Sequence, residues 1–270
     1  VQDYLPEFKG PNKEQVRVRN LLSHSAGLPP FLPLYKENKG YQQVFEAICN
    51  IPLISEPGTR TEYSDLGMIL LGEIISRAAG QPLDRFLAGH LFRPLGLEST
   101  SYRPPKSLLG RIAPTENDPW RGRVIRGEVH DENAFAMGGV AGHAGLFSSA
   151  HDLAVFAQMM LNGGIYDHRR YLNPDTISLF TAAQGSSENA RGLGWGKPSA
   201  GNWTGKIFAE SAYGHTGFTG TSIWIDPERQ LFIVLLTNRV HPSRENLKID
   251  EARQAICESV VRAVSAEGKS

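Results

Sequence analysis

Two apolar patterns in separate parts of the chain restrict the folds that this sequence can adopt. Between residues 64 and 79 the apolar side chains recur at helical spacing, and Gly80 follows as a typical C-terminal stop. Much later, two β-branched apolar runs at 221–226 and 230–238 are separated by Pro227-Glu228-Arg229, which predicts a β-hairpin. A helical middle followed by late strands predicts an α/β or α+β fold, with an antiparallel sheet flanked by helices.

Start and stop signals predict further helices around this sheet. They lie at 82–90 after Pro82, at 153–161 after a Ser149 cap, after Asn173-Pro174, and at about 248–264. Residues 103–144 have little periodicity and many glycines, prolines and charges, so they predict a long irregular segment. We expect residues 1–270 to form one domain. Within it, about 30–200 would be an inserted, mainly helical subdomain, and about 205–270 would supply sheet strands and the closing helix.

The charge balance and the cysteines argue against several kinds of partner. The 28 Lys and Arg residues equal the 28 Asp and Glu residues, so no global basic field exists to collect nucleic acid or an anionic membrane. Cys49 and Cys257 lie outside any C-x-x-C spacing and predict neither a zinc site nor a dense disulfide framework. No apolar run reaches the roughly 18 residues of a membrane span. We therefore expect a small-molecule or peptide ligand and no cofactor.

Two short motifs carry the candidate chemistry. Tyr63-Ser64-Asp65 stands at the start of the predicted helix at 64–79, where a phenol can reach a cleft. A phenol accepts protons well only if nearby positive charge lowers its pKa from about 10. His215-Thr216-Gly217-Phe218 precedes the hairpin, so its histidine and threonine would project from a sheet edge, and Gly217 would let a ligand approach the backbone. Taken singly, the first motif is more typical of a structural tyrosine, and the second is more typical of an ordinary glycine turn before a strand.

Further segments in fixed order change this interpretation. They are L-L-S-H-S-A-G-L-P at 21–29, P-G-T at 57–59, F-R-P-L-G-L at 92–97, G-V-A-G at 139–142 and G-L-F-S-S at 145–149. Combined with the two motifs, they resemble the class C type β-lactamases, penicillin-binding proteins and related esterases. The resemblance covers nearly the whole chain. It implies a β-lactamase/transpeptidase-like fold.

The nucleophile of that family is the serine of a Ser-x-x-Lys motif. This sequence contains neither Ser-x-x-Lys nor Gly-x-Ser-x-Gly. Because the later motifs persist, we expect the nucleophile segment to precede Val1, and we expect this chain by itself to be inactive.

The resemblance also implies roles for residues that are present. In a complete enzyme, Tyr63 would assist proton transfer, Asp65 and His215 would orient substrate and charge, Thr216 and Gly217 would bind substrate, and the Phe218 backbone N–H would complete an oxyanion hole.

Two of these residues depart from the pattern of the family. Asp65 stands where relatives usually have asparagine, so we expect this carboxylate to hold a charged partner more tightly. His215 stands where lactamases often have lysine, and an imidazole supplies only a partial, pH-dependent charge near pH 7. The histidine favours an esterase or peptidase over an efficient β-lactamase, although slow β-lactamase activity stays open.

A polar string at 127–134, G-E-V-H-D-E-N-A, is followed by His143. No known metal-ligand spacing occurs in it, so a hydrogen-bond cluster that orders the loop is favoured over a metal site. The string resembles a branch of the family that includes exo-acting N-acetylmuramoyl-L-alanine amidases. Membership of that branch would favour cleavage of an amide bond next to the lactyl group of a sugar.

Two functions remain open from the sequence. The first is a serine hydrolase that forms an acyl-enzyme on an ester or amide of a small-molecule or peptidoglycan-derived substrate; the family makes a periplasmic or secreted location plausible. The alternative is a non-catalytic ligand-binding or sensor domain of the same fold. A Ser-x-x-Lys segment upstream would decide for the enzyme.

Overall fold

The computed structural model describes residues 1–184, 191–199 and 203–267. Its α-helices are α1 (Val18–Leu22), α2 (Gly40–Asn50), α3 (Asp65–Ala79), α4 (Leu83–Leu87), α5 (Glu132–Ala136), α6 (Ala150–Leu161), α7 (Pro174–Thr181) and α8 (Ile249–Glu267). Its strands are β1 (Ser101–Tyr102), β2 (Asn117–Asp118), β3 (Arg123–Val124), β4 (Leu146–Phe147), β5 (Ile165–Tyr166), β6 (Arg169–Arg170), β7 (Tyr213–Thr216), β8 (Ser222–Asp226) and β9 (Leu231–Leu235).

The chain divides into two compact units, each built from two stretches of sequence. Unit 1 comprises Val1–Ala113 and Ile125–Ser148. Unit 2 comprises Pro114–Val124 and Ser149–Ser270. The boundary that the sequence suggested near residue 200 falls at residues 200–202, which lie outside the described part of the chain, so that division stays a prediction.

Helix α3 is the centre of unit 1. Its apolar face, including Leu66 and Leu70, packs against Leu21 of α1 and Phe45 of α2 in one buried cluster. The helix begins after Ser64, whose side chain accepts a hydrogen bond from the Gly67 N–H, and it ends before Gly80, whose φ is 63°. The helix predicted from the apolar spacing is therefore confirmed at both ends.

A close backbone contact holds residues 141–143 against α3. A Cβ atom on Gly142 would lie 2.0 Å from the Met68 carbonyl oxygen and 2.9 Å from the Gly72 amide nitrogen. Only glycine fits at that separation. The contact brings His143, the next residue, close to the first turns of α3.

Unit 2 contains the antiparallel sheet. Its strand order is β7-β8-β9, and α6 contacts both β8 and β9. Trp224 and Ile233 are opposite each other on β8 and β9, and both pack with Cys257 of α8. An antiparallel sheet with helices packed on it agrees with the fold class expected from the sequence.

Several predicted elements need correction. Residues 213–216 form strand β7, which pairs with β8; the sequence analysis placed His215 and Thr216 at a sheet edge but predicted no strand there. The hairpin itself is confirmed, but its second strand ends at Leu235 rather than at residue 238. The irregular segment at 103–144 contains the single-turn helix α5, which is too short to show a helical period.

Candidate active site

The backbone around Tyr63 is fixed by the loop that contains Pro29. The Ser64 hydroxyl donates to the Pro29 carbonyl at 2.7 Å, and the Asp65 N–H donates to the Pro30 carbonyl at 3.0 Å. Ser64 is 3% exposed, whereas Tyr63 is 42% exposed. The motif therefore presents a solvent-accessible phenol from a buried, hydrogen-bonded support.

His24 belongs to the same loop and lies against the tyrosine. The ring centroids of His24 and Tyr63 are 4.3 Å apart with an angle of 31° between the ring planes. The Ser64 N–H donates to His24 Nδ1 at 3.1 Å. The sequence analysis placed His24 within a family segment but gave it no role, since its partner lies 40 residues away.

Asp65 is partly buried at the first position of α3. Burial raises the pKa of its carboxyl group above the usual range; the charge of His143 opposes this shift and the Asp131 carboxylate adds to it. The groups acting on Asp65 therefore include a histidine and a second carboxylate from the loop at 127–143.

These two loop residues are bonded to each other. His143 Nε2 and Asp131 Oδ1 are 2.8 Å apart, and the same carboxylate oxygen accepts from the Ala134 N–H as the cap of α5. Burial alone would raise the pKa of Asp131, but the hydrogen bond and charge of His143 outweigh it and the pKa is lowered. Asn133 donates to the Leu32 carbonyl at 2.9 Å, so hydrogen bonds order this loop.

The other predicted site residues lie in unit 2. His215 and Thr216 are the last two residues of β7. Gly217 follows, and a Cβ atom there would lie 2.2 Å from Thr221 Oγ1, so any other residue at this position would have to displace the Thr221 hydroxyl. Phe218 is 58% exposed, and its carbonyl accepts from Arg239 Nε at 2.8 Å.

His215 has hydrogen-bond partners that suit a neutral imidazole. Its Nδ1 lies 2.8 Å from the Thr216 carbonyl, which can only accept, and its Nε2 lies 3.3 Å from Arg191 Nη2, which can only donate. Burial and the Arg191 charge lower the pKa of His215, and the bond to Thr216 opposes them only in part. The fixed positive charge at this strand therefore belongs to Arg191.

Two arginines that the sequence did not single out support this strand end. Arg253 of α8 is 5% exposed and donates to the carbonyls of Gly217 and Thr221 at 2.9 and 2.8 Å. Arg191 contacts His215 from 24 residues upstream. Neither arginine occurs in a motif, so only the fold identifies them.

The lowered pKa of His215 gives a stability prediction. A histidine whose folded pKa is below its unfolded value near 6.5 takes up more protons when unfolded, so stability falls as the pH drops below about 6.5. We expect His215→Gln to reduce the loss of stability between pH 7.5 and pH 5, measured as the shift in urea midpoint. His168→Asn, at an exposed histidine, should leave that shift unchanged. Equal shifts in His215→Gln and wild type would contradict the lowered pKa of His215.

A cavity of about 460 Å³ also lies in unit 1, between α3, α4 and residues 137–142. Glu73, Asp84 and Arg103 are among its lining residues, but Tyr63 and Asp65 are not. The cavity therefore does not include Tyr63 or Asp65, although residues of the segment at 139–142 line it. Within the described ranges, no group of three or more His, Cys, Asp or Glu residues could hold a metal ion, and no helix is long and apolar enough to cross a membrane.

Comparison with known proteins identifies the family. The family model named Beta-lactamase matches residues 1–257. A solved penicillin-binding protein homologue from Caulobacter crescentus superposes with a TM-score of 0.74 at 21% identity, covering 97% of this chain and 75% of that one. The chain belongs to the β-lactamase family.

Curated relatives are considerably more similar in sequence. A protein of Escherichia coli (strain K12), provisionally named a D-alanyl-D-alanine carboxypeptidase, is 41% identical over 276 residues. An N-acetylmuramyl-L-alanine amidase of Bacillus subtilis (strain 168) is 40% identical over 271 residues. Each alignment covers 89% of this chain but only 62% and 61%, respectively, of the relative. The chain thus spans about three fifths of the length of these relatives.

Proposed function

We propose that this chain is the greater part of a serine hydrolase that cleaves an amide or ester through an acyl-enzyme. Tyr63 assists proton transfer, Asp65 and His215 orient substrate and charge, and residues 216–218 bind substrate. The attacking serine comes from a Ser-x-x-Lys segment outside these 270 residues. Under this proposal, the 270-residue chain by itself is inactive because it lacks the nucleophile.

The observation that carries this proposal is the exposure of Tyr63 on a rigid support. A structural tyrosine usually buries its ring, yet this side chain is 42% exposed beside a serine that is 3% exposed. A proton-transfer group must be accessible and must also keep its position. Tyr63 meets both requirements.

The substrate that we propose is an amide derived from peptidoglycan. The two curated relatives described above carry names that refer to D-alanyl-D-alanine and to N-acetylmuramyl-L-alanine. The lowered pKa of His215, caused by burial and the Arg191 charge, also supports an amide or ester over a β-lactam, whose carboxylate is better bound by a fixed lysine charge. The resemblance of the loop at 127–134 favours the N-acetylmuramoyl-L-alanine bond.

A non-catalytic ligand-binding domain is the second candidate. The absence of Ser-x-x-Lys from the sequence favours it. In that case Tyr63 and His215 would contact a ligand without turnover.

Labelling with a fluorophosphonate separates the two candidates. We expect no stoichiometric adduct on the 270-residue chain by intact mass, because a serine without an adjacent base is a poor nucleophile. A polypeptide that includes the Ser-x-x-Lys segment should gain one adduct, on that serine. Stoichiometric labelling of the 270-residue chain would contradict the external nucleophile, and an unlabelled extended polypeptide would favour the binding domain.

A further inference from the structure

The backbone on both sides of Tyr63 is held by one residue, His24. The Glu62 N–H donates to the His24 carbonyl at 2.8 Å, and the Ser64 N–H donates to His24 Nδ1 at 3.1 Å. The two bonds flank Tyr63: one holds the peptide unit between Thr61 and Glu62, and the other holds the unit between Tyr63 and Ser64.

The imidazole also limits where the phenol ring can lie. With the ring centroids 4.3 Å apart, the His24 ring covers part of one face of Tyr63. His24 is itself 3% exposed, so it cannot move aside easily. The exposed phenol is therefore supported from the buried side.

The hydrogen bond determines which tautomer His24 adopts. Because the Ser64 N–H can only donate, Nδ1 must keep its lone pair, and the proton of the neutral ring is on Nε2. Protonation at Nδ1 would remove the acceptor. His24 therefore acts as a backbone acceptor and as a support for the ring of Tyr63.

The backbone conformation of His24 adds a constraint on substitution. Its φ of 54° lies in the left-handed region, which asparagine adopts readily and most other residues do not. Asparagine also offers a side-chain oxygen near the position of Nδ1. His24→Asn is thus the variant that best keeps the backbone bonds while removing the ring.

We propose that His24 is a positioning residue for Tyr63, through a two-point backbone clamp and an aromatic support beneath the phenol. This inference rests on the proposed function of Tyr63 in proton transfer. Its consequence is that the segment at 21–29 and the motif at 63–65 act as one unit of the site.

The turnover test uses the polypeptide that includes the Ser-x-x-Lys segment, with a p-nitrophenyl ester as substrate. We expect His24→Asn to lower kcat about 10- to 100-fold with little change in KM, because a misplaced catalytic group loses rate rather than ground-state binding. His24→Ala, which also loses the acceptor, should lower kcat further. An unchanged kcat in both variants would overturn the proposal.

A double-mutant cycle separates this inference from the proposed function. If His24 acts through Tyr63, the effect of His24→Asn should disappear in the Tyr63→Phe background. If Tyr63→Phe lowers kcat but the effects of the two substitutions are fully additive, only the role of His24 is overturned. If Tyr63→Phe leaves kcat unchanged, the proposed role of Tyr63 in proton transfer is wrong, and the inference that depends on it is wrong as well.

A second measurement needs no activity and tests the clamp in the 270-residue chain. The ¹⁵N shifts of His24 at pH 7.5 should show an unprotonated Nδ1 and a protonated Nε2, and urea melts should show that His24→Asn is more stable than His24→Ala. A protonated Nδ1, or equal urea midpoints in the two variants, would contradict the two-point clamp.

Discussion

Replacing Tyr63 by phenylalanine is expected to lower kcat/KM about 100- to 10,000-fold on a p-nitrophenyl ester, the usual contribution of a positioned proton-transfer group. The variant keeps the aromatic ring that lies on His24 and removes only the hydroxyl group. The loss should therefore appear without a change in fold. The measurement is kcat/KM in a polypeptide that includes the Ser-x-x-Lys segment.

Tyr4→Phe is the matched control for this experiment. Tyr4 is 44% exposed, close to the 42% of Tyr63, and it lies in the same unit outside the motif segments. The control should keep wild-type kcat/KM. A Tyr63→Phe variant within about threefold of wild type would exclude Tyr63 from the proton transfer, since general acid–base assistance is larger than that.

Gly142→Ala is expected to destabilise the protein by about 3 kcal/mol, at the upper end of the usual cost of overpacking. The added Cβ would lie 2.0 Å from the Met68 carbonyl and 2.9 Å from the Gly72 N–H, both of them backbone groups that cannot rotate away. Residues 141–143 or α3 must then move apart. The measurement is the free energy of unfolding from urea melts followed by circular dichroism.

Gly89→Ala provides the comparison. A Cβ atom at Gly89 meets nothing within 4 Å, and Gly89 does not have a positive φ. This substitution should change stability by less than about 1 kcal/mol. Similar midpoints for Gly142→Ala and Gly89→Ala would mean that the contact between residues 141–143 and α3 is not tight.

Local signals explain which elements the sequence predicted well. The apolar spacing of α3 is bounded by Ser64 and Gly80, and α6 begins after Ser149, whose side chain caps the helix by accepting from the Asp152 N–H. Helix ends are determined by neighbouring residues, so sequence alone can place them. Strand β7 was missed because it has only four residues and includes Gly214, which weakens the strand pattern.

The candidate site shows the same difference between residues in local patterns and residues that are distant in sequence. Tyr63, Asp65 and the segment at 215–218 are contiguous motifs, and a family resemblance was enough to select them. The residues that act on them are distant in sequence: His24 contacts Ser64 across 40 residues, and Arg191 reaches His215 across 24. Such pairs depend on tertiary packing, which no local pattern encodes.

The residues at 114–124 belong to unit 2, although unit 1 surrounds them in sequence. Glu116 in this stretch is 3% exposed, and its carboxylate accepts from Arg244 Nε at 3.0 and 2.8 Å, across 128 residues. A carboxylate is costly to bury without its partner. During synthesis, the first stretch of unit 2 must therefore stay hydrated until the ribosome has released residue 244, whereas every residue of unit 1 has been made by residue 148. The partner of the buried Glu116 carboxylate thus becomes available much later in synthesis than any partner within unit 1.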